Sequence, residues 1–257
     1  MHVDVTLTPD ELLHVSLAGK TAVVIDVLRA TTSIVTALEN GAAGVLPVAE
    51  VDEARRLAAH WPQGAPPLPP GAEGAADREP LLAGERGARP PAGFHLGNSP
   101  LDFGEGTVRG RAVVLTTTNG TRALERAAEA AEVRVACLRN AAAAAAAVLD
   151  AGRDVVIACA GTEGRMSLED VACAAVLLEE LASAPGVRWG DGARLVRGWM
   201  AAAGMPAGDE GWAELLGDTV HGRRLLELGF ERDVAFCARL NASGVVPLSR
   251  GGWLVAP

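Results

Sequence analysis

The stretch Thr21-Ala22-Val23-Val24-Ile25-Asp26-Val27-Leu28-Arg29-Ala30-Thr31-Thr32-Ser33 decides the fold. Its first five residues form a continuous, largely β-branched apolar run, which is typical of a strand buried on both faces of a parallel sheet. A carboxylate follows immediately at Asp26, and three hydroxyl residues lead into a helical pattern that Gly41 closes. A strand that passes through a short polar turn into a helix begins a βαβ unit, so this stretch predicts an α/β protein.

The same alternation of short apolar runs and helical patterns continues along the chain. Strands that alternate with helices indicate parallel βαβ units with helices on both faces of the sheet. We therefore predict a three-layer α/β/α fold with a largely parallel or mixed sheet. The patterns predict strands at 3–7, 44–48, 111–115, 133–137, 154–158 and 245–248, and helices at 31–40, 51–60, 120–131, 141–151, 168–183 and 231–240.

Length and composition indicate how many domains the chain forms. It has 257 residues, of which 49% are hydrophobic and 21% charged, values that exclude disorder of the whole chain. The Pro-, Gly- and Ala-rich segment 61–80 is predicted to be a long loop. Because the strands on its two sides look alike, we predict a single domain over residues 1–257, with two lobes at about 1–110 and 111–257 as the alternative.

Charge and hydropathy limit the classes of partner. A net charge of −9 argues against broad binding to nucleic acid or to an anionic membrane, because both need a basic surface. The apolar run near residue 141 is far shorter than the roughly 20 residues that span a bilayer, and the start of the chain lacks a signal-peptide pattern. We expect a cytoplasmic protein with a small anionic phosphorylated partner and with reduced, buried cysteines. A homo-oligomer is compatible with the sequence.

Ligands of open α/β sheets bind beyond the carboxyl ends of the strands, and polar residues follow the first strong strand. The start of the next helix, the hydroxyls of Thr31, Thr32 and Ser33 and the guanidinium of Arg29 can together bind an anion. Asp26 beside such a site favours a bridging cation, and its carboxylate oxygens favour Mg²⁺. The alternative is a capped helix with a salt bridge between Asp26 and Arg29.

Two later turns repeat this arrangement. The strand at 111–115 runs into hydroxyl residues and Asn119-Gly120-Thr121, which could cradle an anion or only cap the next helix. A Gly-rich loop containing Gly161 precedes a helix with Glu169 and Asp170 in its first turn. These acids could bind a metal or act as a base, whereas Ser167 followed by Asp170 resembles a capping box.

Three shorter patterns are compatible with both a functional and a structural interpretation. Cys159 and Arg165 have the spacing of phosphatases that attack with a cysteine thiolate, although this spacing also arises often by chance. Glu85 and Arg86 place an acid and a base between glycines. The sequence Asn98-Ser99-Pro100 predicts a loop that enters a helix with proline at the first position. The second and third patterns are also ordinary turn signals.

Six motifs in order resemble one known family. They are DVLRATTSI, LAGERG, GFHLGNSPLDF, TTTNGTRAL, CAGTEGRMSLEDVACA and a closing segment from HGRRLLELGFERDVAFCARL to VVPL, between about residues 20 and 248. The chain resembles the ComB-like 2-phosphosulfolactate phosphatases. This resemblance implies a three-layer α/β/α fold and Mg²⁺-dependent hydrolysis of 2-phospho-3-sulfolactate to 3-sulfolactate and inorganic phosphate, a step toward coenzyme M.

The resemblance also implies a set of site residues. One departure concerns the turn after Gly87, where the family usually has a second glycine and this chain has Ala88. A substitution there is mild if the backbone angle φ is negative. The residues that the resemblance places in the site are Asp26, Arg29, Thr31, Thr32, Ser33, Glu85, Arg86, Asn98, Ser99, Asn119, Thr121, Gly161, Glu169 and Asp170.

These residues suggest a mechanism in which Mg²⁺ is held by Asp26 with Glu85 or Glu169. Asp170 or Glu169 would act as a general base or would protonate the leaving alkoxide. Direct attack by Asp26 or by Cys159 stays open at this point. Phosphate oxygens would be bound by Arg29, Thr31, Thr32, Ser33 and the turn from Asn119 to Thr121, and the sulfonate or carboxylate by Arg86.

Two other functions are compatible with parts of the sequence. The substrate could be a different phosphorylated hydroxy acid, or the chain could be a noncatalytic sensor of an anionic metabolite. A sensor would keep the arginines but would not need acids at positions 26, 85, 169 and 170. A nucleotide-binding protein is disfavoured because neither GxGxxG nor GxxxxGK[ST] follows a strand.

Overall fold

The computed structural model describes residues 1–72 and 74–257 in full. In this part of the chain, the strands are β1 His2–Thr6, β2 Thr21–Ile25, β3 Gly44–Pro47, β4 Leu81–Gly84, β5 Ala112–Thr116, β6 Glu132–Ala136, β7 Val155–Cys159, β8 Arg188–Trp189, β9 Leu248–Arg250 and β10 Trp253–Val255. The helices are α1 Ala30–Glu39, α2 Val51–Ala59, α3 Glu105–Val108, α4 Gly120–Ala127, α5 Ala141–Ala151, α6 Leu168–Ala182, α7 Asp191–Ala203, α8 Gly208–Asp218, α9 Val220–Glu227 and α10 Glu231–Cys237.

The described strands form one mixed sheet in the order β4-β5-β3-β10-β9-β6-β2-β7-β1-β8. The group β4-β5-β3 is parallel within itself, and so is the group β6-β2-β7-β1-β8. The antiparallel pair β9 and β10 joins the two groups. The predicted α/β fold with a mixed sheet is confirmed. Strands that precede residue 110 in the sequence pair with strands that follow it, since β3 pairs with β5 and β1 pairs with β7.

Strand β2 is central because every one of its residues is buried and it pairs with a neighbour on each side. Ile25 lies opposite Ala136 of β6 and Cys159 of β7, so the last residue of β2 is enclosed by the ends of two other strands. A β-branched run with no polar face fits this position, as the sequence predicted. Asp26, the next residue of the chain, therefore lies at the carboxyl end of the sheet between the ends of β6 and β7.

Helices cover both faces of the sheet and form its hydrophobic core. Side chains on one face of β1, β2 and β7 pack against α5, α6, α7 and α8. On the opposite face, α1 and α4 pack against strands of both parallel groups. Helix α2 covers the outer face of β3, β4 and β5. Helix α1 contacts β3 and β6, whereas α4 contacts β2 and β7. The first residues of both helices, Ala30 and Gly120, lie against Asp26 at the end of β2, and the site is built there.

Most predicted elements are present, with ends that differ by a few residues. The strand predicted at 245–248 was wrong in position, since β9 begins at Leu248 and forms a hairpin with β10. The turn Gly251-Gly252 has positive φ at both residues, +57° and +88°, which only glycine adopts readily and which was the missed signal. Strand β4 was also missed because its apolar run is very short. The helices predicted at 120–131 and 231–240 end earlier, at Ala127 and Cys237.

Among the described residues, no helix has both the length and the hydropathy needed to cross a membrane.

Candidate active site

The carboxyl ends of strands from both parallel groups open into one pocket. Asp26 follows β2, Glu85 follows β4, and Thr117 follows β5. The turn after β7 contributes Thr162, so four strand ends meet. The residues that line the pocket are Asp26, Leu28, Arg29, Glu85, Gly87, Ala88, Asn98, Thr117, Thr118, Asn119, Thr162, Glu163, His221 and Arg224.

Asp26 is the acid in the middle of this arrangement. It is only 7% exposed, and the backbone N–H groups of Ala30 and Gly120 donate to its carboxylate. These donors belong to the first residues of α1 and α4, so two helix N-termini face the same carboxylate. Burial raises the pKa of Asp26 to about 7, with a further contribution from the negative charges of Glu85 and Glu169.

Glu85 is held in a fixed orientation by hydrogen bonds to both of its oxygens. Oε1 accepts from the N–H and the hydroxyl of Thr118 at 2.9 and 2.8 Å, and Oε2 accepts from the N–H of Ala88 at 2.9 Å. Burial favours the protonated form, but these hydrogen bonds outweigh it, and the pKa of Glu85 is lowered. Glu85 is therefore an ionised carboxylate that faces the pocket.

Ala88, which donates to Glu85, has a left-handed backbone with φ of +68°. The condition for a mild substitution at this position, a negative φ, is therefore not met. Its carbonyl also accepts from Arg29 Nη2 at 3.1 Å, so the turn is fixed from two sides. These two hydrogen bonds hold an alanine in a conformation that favours glycine.

The chemistry of these acids fits a hard divalent cation. Asp26 and Glu85 both face the pocket, and repulsion between the carboxylates raises the pKa of Asp26. A bound cation would remove that repulsion. Among the described residues, no group of three or more His, Cys, Asp or Glu side chains converges as a metal site. Two carboxylates are nevertheless a common protein contribution to a Mg²⁺ site, where water and substrate phosphate supply other oxygens.

Asp170 and Glu169 are buried beside Asp26 but do not line the pocket. Asp170 accepts from the N–H of Val27 at 2.9 Å and from the N–H of Gly161 at 3.0 Å, which ties the turn after β2 to the turn after β7. Burial and the charges of Asp26 and Glu169 raise the pKa of Asp170 well above its ordinary value. The Asp170 carboxyl joins two turns, and the predicted capping box with Ser167 is not formed.

Glu169 lies on the first turn of α6 and is 2% exposed. Burial raises its pKa, and the nearby hydroxyls of Thr219 and Ser167 oppose that shift only in part. Thr219 precedes α9, so Glu169 connects the start of α6 to the start of a helix that borders the pocket. Of the two partners considered for Asp26, Glu85 is the one with direct access to the pocket.

The three hydroxyls after β2 hold the backbone of the turn. Thr31 donates to the carbonyl of Asp26 at 2.7 Å, and Thr32 donates to the carbonyl of Val27 at 2.9 Å. Ser33 donates to the carbonyl of Asn98 at 2.9 Å. All three side chains are fully buried and lie outside the pocket lining, so they fix the position of Asp26 and Asn98 in this structure.

Arg29 lines the pocket but has buried partners. Its Nη1 donates to Asp233 at 2.6 Å, and its guanidinium stacks on the ring of Phe230 at 4.3 Å. Ser99 donates to the other oxygen of Asp233 at 2.7 Å. The arginine after β2 is thus fixed by α10 and by the loop before Pro100. The alternative interpretation, a salt bridge between Arg29 and Asp26, is wrong, because Arg29 pairs with Asp233 instead.

Arg86 lies beside the pocket without lining it. Its guanidinium donates to the carbonyls of Glu85 and Ala49 at 2.7 and 2.8 Å and to the hydroxyl of Thr116 at 3.0 Å. These bonds join the end of β4 to the end of β5. In this structure the guanidinium holds Glu85 in place.

Two amide side chains, those of Asn98 and Asn119, line the pocket. Asn98 is 5% exposed, and its Oδ1 has no hydrogen-bond partner among the described residues. A buried amide that faces a pocket without a partner is a group that a ligand or its water would satisfy. Asn119 accepts from the N–H of Glu163 at 3.2 Å, and Thr121 donates to the carbonyl of Thr117 at 2.7 Å.

Nine residues of the pocket lining were not predicted as site residues, and three of them have titratable side chains: His221, Arg224 and Glu163. His221 and Arg224 lie on α9, three residues apart, and Glu163 has a left-handed backbone with φ of +53°. The ring of His221 hydrogen-bonds to the backbone of Leu28, and its Nδ1 has no partner among the described residues. Burial and the charge of Arg29 lower the pKa of His221. The charged run around His221 was the available signal, but such runs usually mark solvated helix faces.

Cys159 does not face the pocket. It is fully buried at the end of β7, and burial together with the charge of Asp170 raises the pKa of its thiol well above the ordinary value. A thiol of this kind stays protonated and is a poor nucleophile. The structure therefore argues against attack by cysteine.

Comparison with known proteins identifies relatives over nearly the whole chain. Residues 6–252 match the family model described as 2-phosphosulpholactate phosphatase. A probable 2-phosphosulfolactate phosphatase of Symbiobacterium thermophilum is 42% identical over 93% of this chain and 95% of its own length. Proteins of the same description are 40% identical in Deinococcus radiodurans, over 96% of this chain and 92% of their own, and 37% in Thermotoga maritima, over 95% and 94%.

Proposed function

The chain belongs to the 2-phosphosulfolactate phosphatase family, and from that premise we propose that it hydrolyses 2-phospho-3-sulfolactate in a Mg²⁺-dependent reaction. Members of this family are phosphoric monoester hydrolases, and this chain is an enzyme of that class. The observation that carries the proposal is the pair Asp26 and Glu85, which face one pocket between groups that can bind phosphate oxygens. The products would be 3-sulfolactate, a precursor of coenzyme M, and inorganic phosphate.

We assign the metal to Asp26 and Glu85, because both carboxylates face the pocket and Glu85 is ionised. When bound there, Mg²⁺ supplies positive charge to the phosphate and lowers the pKa of coordinated water. The hydrogen bonds from Thr118 and Ala88 fix Glu85, and the N–H groups of Ala30 and Gly120 fix Asp26. Both carboxylates are thus oriented before substrate arrives.

The groups left to bind the phosphate oxygens surround these acids. Arg29 contributes charge, and Asn98, Thr117 and Thr118 contribute polar side chains at the pocket wall. Their positions are set by contacts from β2, β5 and α10, so little reorganisation is needed when the phosphate binds. This arrangement suits a reaction in which catalysis is mainly positioning and charge stabilisation.

His221 is the pocket residue best suited to move a proton. Its ring hydrogen-bonds to the backbone of Leu28, and its Nδ1 is buried without a partner among the described residues. A small rotation of the side chain would bring Nδ1 to the attacking water, from which it would accept a proton. Glu169 and Asp170, considered for this role from the sequence, lie outside the pocket lining, and Asp170 already accepts from two backbone N–H groups. The proton formed in hydrolysis would later pass to the alkoxide released from carbon 2.

The same proposal includes a cytoplasmic location. All four cysteines are free and buried, as is usual in a reducing compartment.

Phosphate release tests the proposed function. Purified enzyme is assayed with 2-phospho-3-sulfolactate, 2-phospholactate and O-phosphoserine, with Mg²⁺ or with EDTA. We expect release from the sulfonated ester in Mg²⁺ and none in EDTA. Asp26→Asn and Glu85→Gln should each lose about a hundredfold or more, since each removes a charged ligand. The control is Glu129→Gln, which changes an exposed acid outside the pocket. Undiminished activity in EDTA, or wild-type rates in both pocket variants, would overturn the proposal.

A further inference from the structure

The mouth of the pocket holds an ion pair that the metal site does not use. Arg224 on α9 and Glu163 in the turn after β7 face each other, with Nη1 and Oε1 separated by 3.4 Å. The arginine side chain is 50% exposed and that of the glutamate 70% exposed. A long, solvent-exposed pair of this kind contributes little to stability and is readily exchanged for another partner.

The other arginines near the pocket have buried partners. Arg29 is paired with Asp233 at 2.6 Å. Arg86 does not line the pocket, and it donates to the carbonyls of Glu85 and Ala49 and to the hydroxyl of Thr116. Of the two arginines that line the described pocket, Arg29 pairs with a buried acid, and Arg224 pairs with an exposed one. An incoming anion can take the place of that acid at small cost.

The shape of the proposed substrate separates its anionic groups along the pocket. The phosphate ester and the carboxylate are both attached at carbon 2, whereas the sulfonate is attached at carbon 3, one bond farther from the reacting phosphorus. With the phosphate at Asp26 and Glu85, the sulfonate can extend farther from these acids, toward the mouth, than the carboxylate can. A guanidinium matches the oxygens of a tetrahedral oxyanion by paired hydrogen bonds.

We propose that Arg224 binds the sulfonate of the substrate and that Glu163 holds Arg224 in place until the substrate displaces it. This inference rests on the proposed function, since it names the residue that would give that function its substrate specificity. The backbone of Glu163 is anchored by its hydrogen bond to Asn119 at 3.2 Å, so the exchange needs only a movement of side chains.

The test compares two substrates and one product. Arg224→Gln and the control Arg223→Gln are assayed with 2-phospho-3-sulfolactate and with 2-phospholactate, which lacks the sulfonate. Binding of 3-sulfolactate is measured separately by calorimetry. Arg223 is a suitable control because it is the adjacent arginine, is exposed, and pairs with Asp218 at 2.7 Å away from the pocket.

We expect Arg224→Gln to lower kcat/KM for the sulfonated ester by about tenfold or more, chiefly through KM, and to weaken 3-sulfolactate binding to a similar extent. Its effect on 2-phospholactate should be much smaller, and Arg223→Gln should behave as wild type. Arg224→Lys should recover part of the loss. Glu163→Gln should lower KM for the sulfonated ester, because Arg224 then has no competing acid.

The outcomes separate this inference from the proposed function. Equal losses on both esters in Arg224→Gln, or unchanged 3-sulfolactate binding, would overturn the role of Arg224 while the phosphatase activity stands. Arg224-dependent binding of 3-sulfolactate by an enzyme that releases no phosphate would support the sulfonate site and overturn the proposed function. A wild-type enzyme that neither binds 3-sulfolactate nor releases phosphate would overturn both.

Discussion

Replacing Gly120 with alanine tests whether the start of α4 positions Asp26. A Cβ at this residue would lie 2.6 Å from the Cβ of Ala30 and 2.8 Å from Oδ2 of Asp26. Nonbonded carbons are normally about 3.5–4.0 Å apart, so the added methyl group is about 1 Å too close to a neighbour fixed on the backbone of α1. The first turn of α4 would have to move away and would lose the hydrogen bond from the Gly120 N–H to Asp26.

The expected cost of this overpacking is about 1–3 kcal/mol in the free energy of unfolding. A displacement of about 1 Å at a catalytic carboxylate can also reduce the rate by about a hundredfold. The assays are urea unfolding and Mg²⁺-dependent phosphate release. The control is Gly198→Ala in α7, where nothing lies within 4 Å of the added Cβ. That variant should gain about 1 kcal/mol of stability through helix propensity and keep its activity. Wild-type stability and rate in Gly120→Ala would refute the reasoning.

Three further variants test the supports of the site. Asp170→Ala should lower the free energy of unfolding by about 2–5 kcal/mol, because it leaves the buried N–H groups of Val27 and Gly161 without their acceptor. A small change in urea unfolding would contradict the structural role given to this acid. Asp233→Ala should cost about 3–5 kcal/mol by leaving Arg29 buried without its partner, and the double variant with Arg29→Met should recover much of that stability. Equal destabilisation in the single and double variants would argue against an unpaired charge as the cause. Cys159→Ser should keep Mg²⁺-dependent phosphate release, and loss of activity in a folded variant would restore the cysteine as a candidate.

The sequence predicts the parts of this molecule that depend on local pattern. Strand β2 and the polar turn at Asp26 could be recognised because a buried strand that ends in a carboxylate is unusual. The short strand β4 could not, since a run of three apolar residues before Gly84 has no periodicity to distinguish a strand from a loop. Its position beside β5 nevertheless brings Glu85 to the pocket.

Contacts between residues distant in sequence account for the rest. Arg29 and Asp233 are 204 residues apart, so the partner of Arg29 could not be inferred from the turn in which it lies. The same is true of α9, whose charged residues look like an ordinary solvated face until the fold brings His221 and Arg224 to the pocket. The hydroxyls of residues 31–33 were predicted to bind phosphate. The sequence does not show that backbone carbonyls accept their hydrogen bonds, as they do in the structure.

The most direct test of the central claim is the position of the metal. A crystal grown with Mn²⁺ in place of Mg²⁺ and measured for anomalous scattering would locate the ion without any assumption about its ligands. The account predicts one strong peak between Asp26 and Glu85, with a carboxylate oxygen of each at about 2.0–2.2 Å. A peak elsewhere in an enzyme that requires the ion, or a peak bound by neither of these two acids, would contradict it.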